Sequence, residues 1–432
     1  MHSKQILAQN QRIERITPAT LVVGVDIAKE RHVAQAINFR GIVLTSRAMV
    51  FANARPEFEQ FVARLRDIQT VHGMTDVVVG MESTGHYWFA LAHWLEDQGL
   101  TVVLVNPTTT KRNKENRDNS PSKSDPKDAL VIAEAVSRGY YTLYQRQELQ
   151  FHQLRVLVAS RERWVQERSR CRNRITRWVD LYFPELTQVF PDLFTDRALA
   201  TLEQFPTPQD IRALTPDGMV ETWRGYLARA AGARGLRCAQ ALHEAAAKSI
   251  GDTVGLDDAR WELQHLLTSY RHAYQVVMEA DTRLEALLGE IPCAPLLRSV
   301  GIPVSETAAI LAFGGDLRRL SHGDQLLRKA GLNLAERSSG KYKGRIKLSK
   351  RGNAVLRKHL FFTVLNLIGT NPAFAAWHQH NVKVKRLTPM QSVMKLVRKL
   401  ARLLVAMART GQPFQPDREP PQAPEPAVPY AG

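Results

Sequence analysis

Cysteine is scarce in this 432-residue chain: Cys171, Cys238 and Cys293 stand far apart. Three such residues provide neither a disulfide framework nor a zinc site, and the 13 histidines show no ligand spacing with them. No apolar run is long enough to cross a bilayer. The N-terminus, with Lys4, Arg12, Glu14 and Arg15, has no secretory apolar segment, so a cytoplasmic location is expected. The most informative absence is of one charge sign. Between Glu336 and Asp417 no Asp or Glu occurs over 80 residues, while 17 Lys and Arg do. The other 42 of the chain's 59 basic residues are matched by its 42 acidic ones, so this interval accounts for the formal charge of +17. A block so one-sided attracts polyanions, nucleic acid above all. The bland alternative is a solvated basic face.

Four carboxylates stand out among what is present. Asp26 interrupts the apolar run Leu21 to Ile27, which reads as a buried strand, and a charge in such a strand needs a partner. Arg31 to Val43, with Phe39-Arg40-Gly41, reads as two strands joined by a tight turn. A helix over Pro56 to Ile68 follows, then a strand, Asp76 to Glu82, ending on the second acid. An aromatic helix (Tyr87, Trp88, Leu91, Trp94, Leu95) leads to a strand, Thr101 to Val105, closed by Asn106-Pro107. His86 and His93 are assigned to the packing of that helix, not to catalysis.

Beyond a polar, basic loop, Ser124-Asp125-Pro126-Lys127-Asp128 opens a helix running to Gly139, with Asp125 and Asp128 on one face. Taken alone, that pair also makes an N-cap and N3 cap, and Glu82 a strand terminus. Together the four fall where an RNase H-like fold places metal-binding acids, which is a site for Mg²⁺ and phosphoryl transfer.

Within the acid-free interval, Arg337-Ser338-Ser339-Gly340-Lys341-Tyr342-Lys343-Gly344-Arg345 precedes Leu348-Ser349-Lys350-Arg351-Gly352 and a helix from Leu356 to Ile368 that carries Arg357. Ser-Gly in a basic loop is a turn, a phosphate contact or an activated nucleophile. Residues 145–185 are apolar-periodic and arginine-rich. Trp261 to Glu290 carries a coiled-coil-like seam that could join protomers, span a nucleic acid or pack within the chain. Leu296 to Pro303 with Ala308, Ala309 and Leu311 is similar to a helix-hairpin-helix, although Pro303 cannot donate to a phosphate. Gly411 to Gly432 holds seven of the 22 prolines and reads as a disordered tail.

Val25-Asp26-Ile27-Ala28-Lys29, Met81-Glu82-Ser83-Thr84-Gly85 and Ser124-Asp125-Pro126-Lys127-Asp128-Ala129 resemble the signature of the DEDD insertion-sequence transposases, the IS one-ten group, over nearly the whole chain to about residue 410. The resemblance implies a RuvC-like catalytic domain (1–145), a helical, coiled-coil-like region (146–290), a helical C-terminal transposase domain (291–410) and the tail (411–432).

It also implies an α/β plus all-α fold and a Mg²⁺ cofactor held by Asp26, Glu82, Asp125 and Asp128. Ser339 is implied as nucleophile, with Ser338 its open alternative. Lys111, Arg112, Lys341, Lys343, Arg345, Lys350, Arg351 and Arg357 stand as nucleic-acid contacts. The implied partners are donor and target DNA, a bridge-type noncoding RNA, and further copies of the chain, as dimers pairing into a tetramer on the nucleoid. Two other readings stay open on the residues: a RuvC-like junction endonuclease using the acids alone, and a non-catalytic nucleic-acid-binding derivative.

Overall fold

The computed structural model describes residues 2–118, 124–146, 148–227, 233–335, 338–339, 342–343 and 347–416. The chain divides into two compact units, residues 1–146 and 147–432.

The first unit is a six-stranded mixed sheet between helical layers. Its elements run α1 (His2–Glu14), β1 (Thr20–Asp26), β2 (Arg31–Ile37), β3 (Met49–Ala52), α2 (Arg55–His72), β4 (Asp76–Glu82), α3 (Trp88–Asp97), β5 (Thr101–Val105), α4 (Pro107–Asp118), α5 (Asp125–Ser137) and β6 (Tyr141–Leu143). The strand order is β3-β2-β1-β4-β5-β6. β1 pairs antiparallel with β2 and parallel with β4, and β5 continues parallel to β4. The valine-rich central strands are buried on both faces. Leu21, Val23 and Val25 pack with Phe58, Phe61, Leu65 and Leu91 of α2 and α3, whereas Val22, Val78 and Val103 pack with Ile132 and Val136 of α5.

Two expectations need correction. The tight turn forms, with Gly41 at φ 89°, but Val43 makes only a single bridge to Ile37. The true third strand begins at Met49. Thr45-Ser46-Arg47 offers no apolar alternation, and pairing resumes where Met49 and Phe51 can point into the core. The expected basic loop after Asn106 is, up to Asp118, the helix α4. Asn106 accepts from the Thr108 amide at 2.9 Å and Pro107 starts the helix with its φ already set.

In the second unit α6 (Leu149–Tyr182) and the helix Leu256–Gly289 lie antiparallel, each about 50 Å long at 1.5 Å per residue. Trp178 Nε1 donates to the Ala259 carbonyl at 2.8 Å near one end, and Arg161 pairs with Asp281 at 2.6 Å towards the other. The apolar seam read from Leu263 to Leu288 therefore packs within the chain. Short helices between residues 186 and 247 wrap one end around Trp223, Phe183 and Phe205. At the other end Leu154, Val158, Leu284 and Leu288 join the core of the C-terminal helices. Helices Ala294–Arg298 and Val304–Gly314 meet at a turn where Gly301 has φ 96° and Pro303 is the N-cap.

No single helix among the described residues is long and apolar enough to cross a membrane. The tail from residue 417 lies outside the described residues.

Candidate active site

Parallel pairing in register, Val25 opposite Met81, leaves Asp26 and Glu82 side by side where β1 and β4 end. The helix α5 is brought onto the same edge by two glycines that face each other in that ladder, Gly24 and Gly80. A β-carbon at Gly24 would run into the Ala129 carbonyl and the Ala133 backbone, and one at Gly80 into Val136. The missing side chains form a trough in which the first turns of α5 sit directly on β1. Asp128 precedes Ala129 and so is delivered next to Asp26.

The electrostatics follow. Burial, then Asp128, Asp125 and Glu82, push the Asp26 carboxyl up to about 6, while Lys114 pulls it back. Glu82 is also raised by burial, opposed by a hydrogen bond from Thr110 and by Lys114. The capping explanation of Asp125 and Asp128 is not realised. The N-cap is Ser124, without a side-chain cap bond, and Asp125 is exposed in the first turn. Asp128 is 5% exposed, and its Oδ1 is ion-paired with the Lys114 ammonium, with no other donor among the described residues.

A buried carboxylate whose counter-charge is a lysine ammonium, set beside like charges, fits a cation, and an all-oxygen set suits a hard one. As placed, however, no three carboxylate, histidine or cysteine side chains among the described residues stand together as a ready metal cage. Sequence reading missed Lys114 and Thr110. Both lie on α4, one turn apart, and the Asn106-Pro107 helix start is the sequence sign that this segment is a helix.

Ser338 and Ser339 form β8, paired with β9 (Tyr342–Lys343): Ser339 lies opposite Tyr342 and Ser338 opposite Lys343. The ends of this loop are pinned by β7 (Leu334–Ala335) against β10 (Lys347–Leu348). Below the ladder, Ser349 Oγ donates to Asn333 Oδ1 at 2.6 Å, and the Lys350 and Asn353 amides donate to the carbonyls of Gly331 and Lys329. Gly331 and Gly352 make this approach possible, since a β-carbon on either would meet the other's strand of backbone.

Lys350, with φ 52°, and Arg351 are exposed, as are Lys111 and Arg112 on α4. Arg357 Nη1 instead donates to the Ala330 carbonyl at 2.8 Å and braces the loop base. Lys341 and Arg345 lie outside the described residues. A further buried cluster was not foreseen. Glu162 of α6 pairs with His359 Nε2 at 3.0 Å and with Lys358, contacts that hold its carboxyl down at about 2 and fasten α6 to the helix after the serine loop.

Comparison with known proteins gives this arrangement a class. Residues 23–184 match a family model described as transposase, the DEDD transposase of IS110, and residues 293–379 one described as transposase of the IS116/IS110/IS902 family. Both descriptions are of enzymes that process DNA. The chain carries the two IS110-family transposase domains, in this order. It is 28% identical over 295 residues to an uncharacterized 43.6 kDa protein of insertion element IS110 from Streptomyces coelicolor, covering 67% of this chain and 71% of that protein. It is also 26% identical over 329 residues to an uncharacterized 42 kDa protein of insertion element IS900 from Mycobacterium paratuberculosis, covering 73% and 78%.

Proposed function

We propose that this protein is a site-specific DNA recombinase that excises and inserts its own insertion sequence, using a Mg²⁺ site and a serine nucleophile. The observation that carries the reading is the gathering of Asp26, Glu82, Asp125 and Asp128 at one sheet edge, with the Asp26 carboxyl raised to about 6. The strand order and the position of α5 against β1 support an RNase H/RuvC-like assignment for the first unit. The four acids would hold Mg²⁺, which when bound polarises the scissile phosphodiester and offsets charge developing on its oxygens.

Ser339, or its neighbour Ser338, supplies the nucleophile. Its hydroxyl loses a proton and its oxygen bonds the phosphorus, as the bond from phosphorus to the adjoining sugar oxygen breaks and that oxygen takes up a proton. Rejoining reverses the exchange with another strand's hydroxyl and frees the serine. One phosphorus–oxygen bond forms for each that breaks, so no ATP is needed.

Lys341, Lys343, Arg345, Lys350 and Arg351 of the acid-free interval, with Lys111 and Arg112 of α4, contact phosphates, while Arg357 holds the loop base that presents them. A bridge RNA selects donor and target by base pairing. Protomers pair as dimers that join into a tetramer, acids and serine coming from different copies.

The test uses purified protein, element RNA and donor DNA with Mg²⁺. Asp26→Asn and Asp128→Asn should abolish strand cleavage while DNA binding persists. Cleavage at wild-type rate in both variants would overturn the assignment of the acids.

A further inference from the structure

Lys114 is a cation set into the acid cluster. Its ammonium pairs with Asp128 and lies within electrostatic reach of Asp26 and Glu82. No donor other than that ammonium is found for Asp128 Oδ1 among the described residues. Nor is Lys114 fixed by an apolar anchor. Among the described side chains of α4 only Thr110 is buried, and apart from the half-buried Pro107 the rest are exposed or half-buried polar groups. A lysine carries its charge on a flexible four-carbon stem and can withdraw it into water.

We propose that Lys114 is a built-in counter-ion of the metal-free protein, which competes with the divalent cation for Asp128 and swings out when the cation binds. The inference rests on the metal reading of the acids given above. It accounts for two facts at once: the carboxylates gather, yet no three of them among the described residues form a ready cage. A cluster of four acids repels itself, and one ammonium lessens that repulsion without the coordination geometry of an ion. The result is a site kept folded before loading, whose cation affinity is scaled down to the fraction of time the lysine is away from Asp128.

The test measures Mn²⁺ binding to the full-length protein by isothermal titration calorimetry, and thermal stability in EDTA and in Mn²⁺. Lys114→Gln, nearly the same size, should bind Mn²⁺ about fivefold more tightly, melt at lower temperature in EDTA, and show a larger Mn²⁺-induced rise in melting temperature. Lys114→Arg, which keeps the charge, should stay near wild type in all three. Equal or weaker Mn²⁺ binding by Lys114→Gln, with wild type binding normally, would overturn the counter-ion role and leave the metal site standing. Absence of Mn²⁺ binding in wild type and both variants would overturn the metal reading and the counter-ion role together.

Discussion

Asp26 is the residue on which sequence and structure meet most directly. A carboxylate inside the apolar run Leu21 to Ile27 already signals a charge in a buried strand, and the folded protein raises that carboxyl from an ordinary 3.8 to about 6. Burial is the first cause and the neighbouring acids the next. The sign of the consequence is fixed by linkage. Between pH 4 and 6 the folded chain retains a proton on Asp26 that the unfolded chain has lost, so stability declines as pH rises through that window.

Asp26→Asn should therefore be more stable than wild type at pH 8 in EDTA, the difference shrinking towards pH 4. Calorimetric melting across that range measures it, and a difference independent of pH would contradict the assignment. Lys114 was not legible in the same way. Lys111, Arg112 and Lys114 read alike in a polar segment, and only the packing of α4 selects which of them meets an acid. Glu162 is a similar case, an acid among arginines whose burial depends on a helix some 200 residues further on.

At the scale of elements, period and length carried most of the information. β4 and β5 occupy the ranges their apolar runs give, and the seam of Leu256–Gly289 is visible from Leu263 to Leu288. β3 was displaced because a turn signal marks where a strand ends and not where pairing resumes. α4 was invisible to apolar periodicity because it has almost no apolar residue; its Asn-Pro start was the usable sign.

The element that builds the site is α5, and Gly24 sets its distance from β1. Gly24→Ala places a methyl against helix backbone, which cannot rotate away as a side chain would. It should cost at least about 2 kcal/mol and push Asp125 and Asp128 away from Asp26. Chemical denaturation reports the first effect. Loss of Mn²⁺-induced stabilisation reports the second. A variant with wild-type stability and an unchanged Mn²⁺ response would show that the close approach of α5 is not what assembles the acids.

For the whole molecule, charge distribution was readable from composition alone, since an 80-residue interval without an acid cannot be neutral whatever its fold. The division into two compact units puts the acids in one and the serine loop in the other. Motif order along the chain makes that separation visible. In that second unit the backbone flanking Ser338 and Ser339 is pinned at Gly331 to Asn333 and Ser349 to Asn353.

The most direct test of cooperation between acids and serine is a covalent link between protein and DNA. Purified protein, element RNA and end-labelled donor DNA are incubated with Mg²⁺ and resolved on a denaturing gel, with Ser339→Ala and Ser338→Ala alongside wild type. The expected result is an adduct in wild type and Ser338→Ala that is absent from Ser339→Ala and from Asp26→Asn. Cleavage by wild type with no adduct in any lane would contradict the serine step and leave metal-dependent hydrolysis by the acids alone.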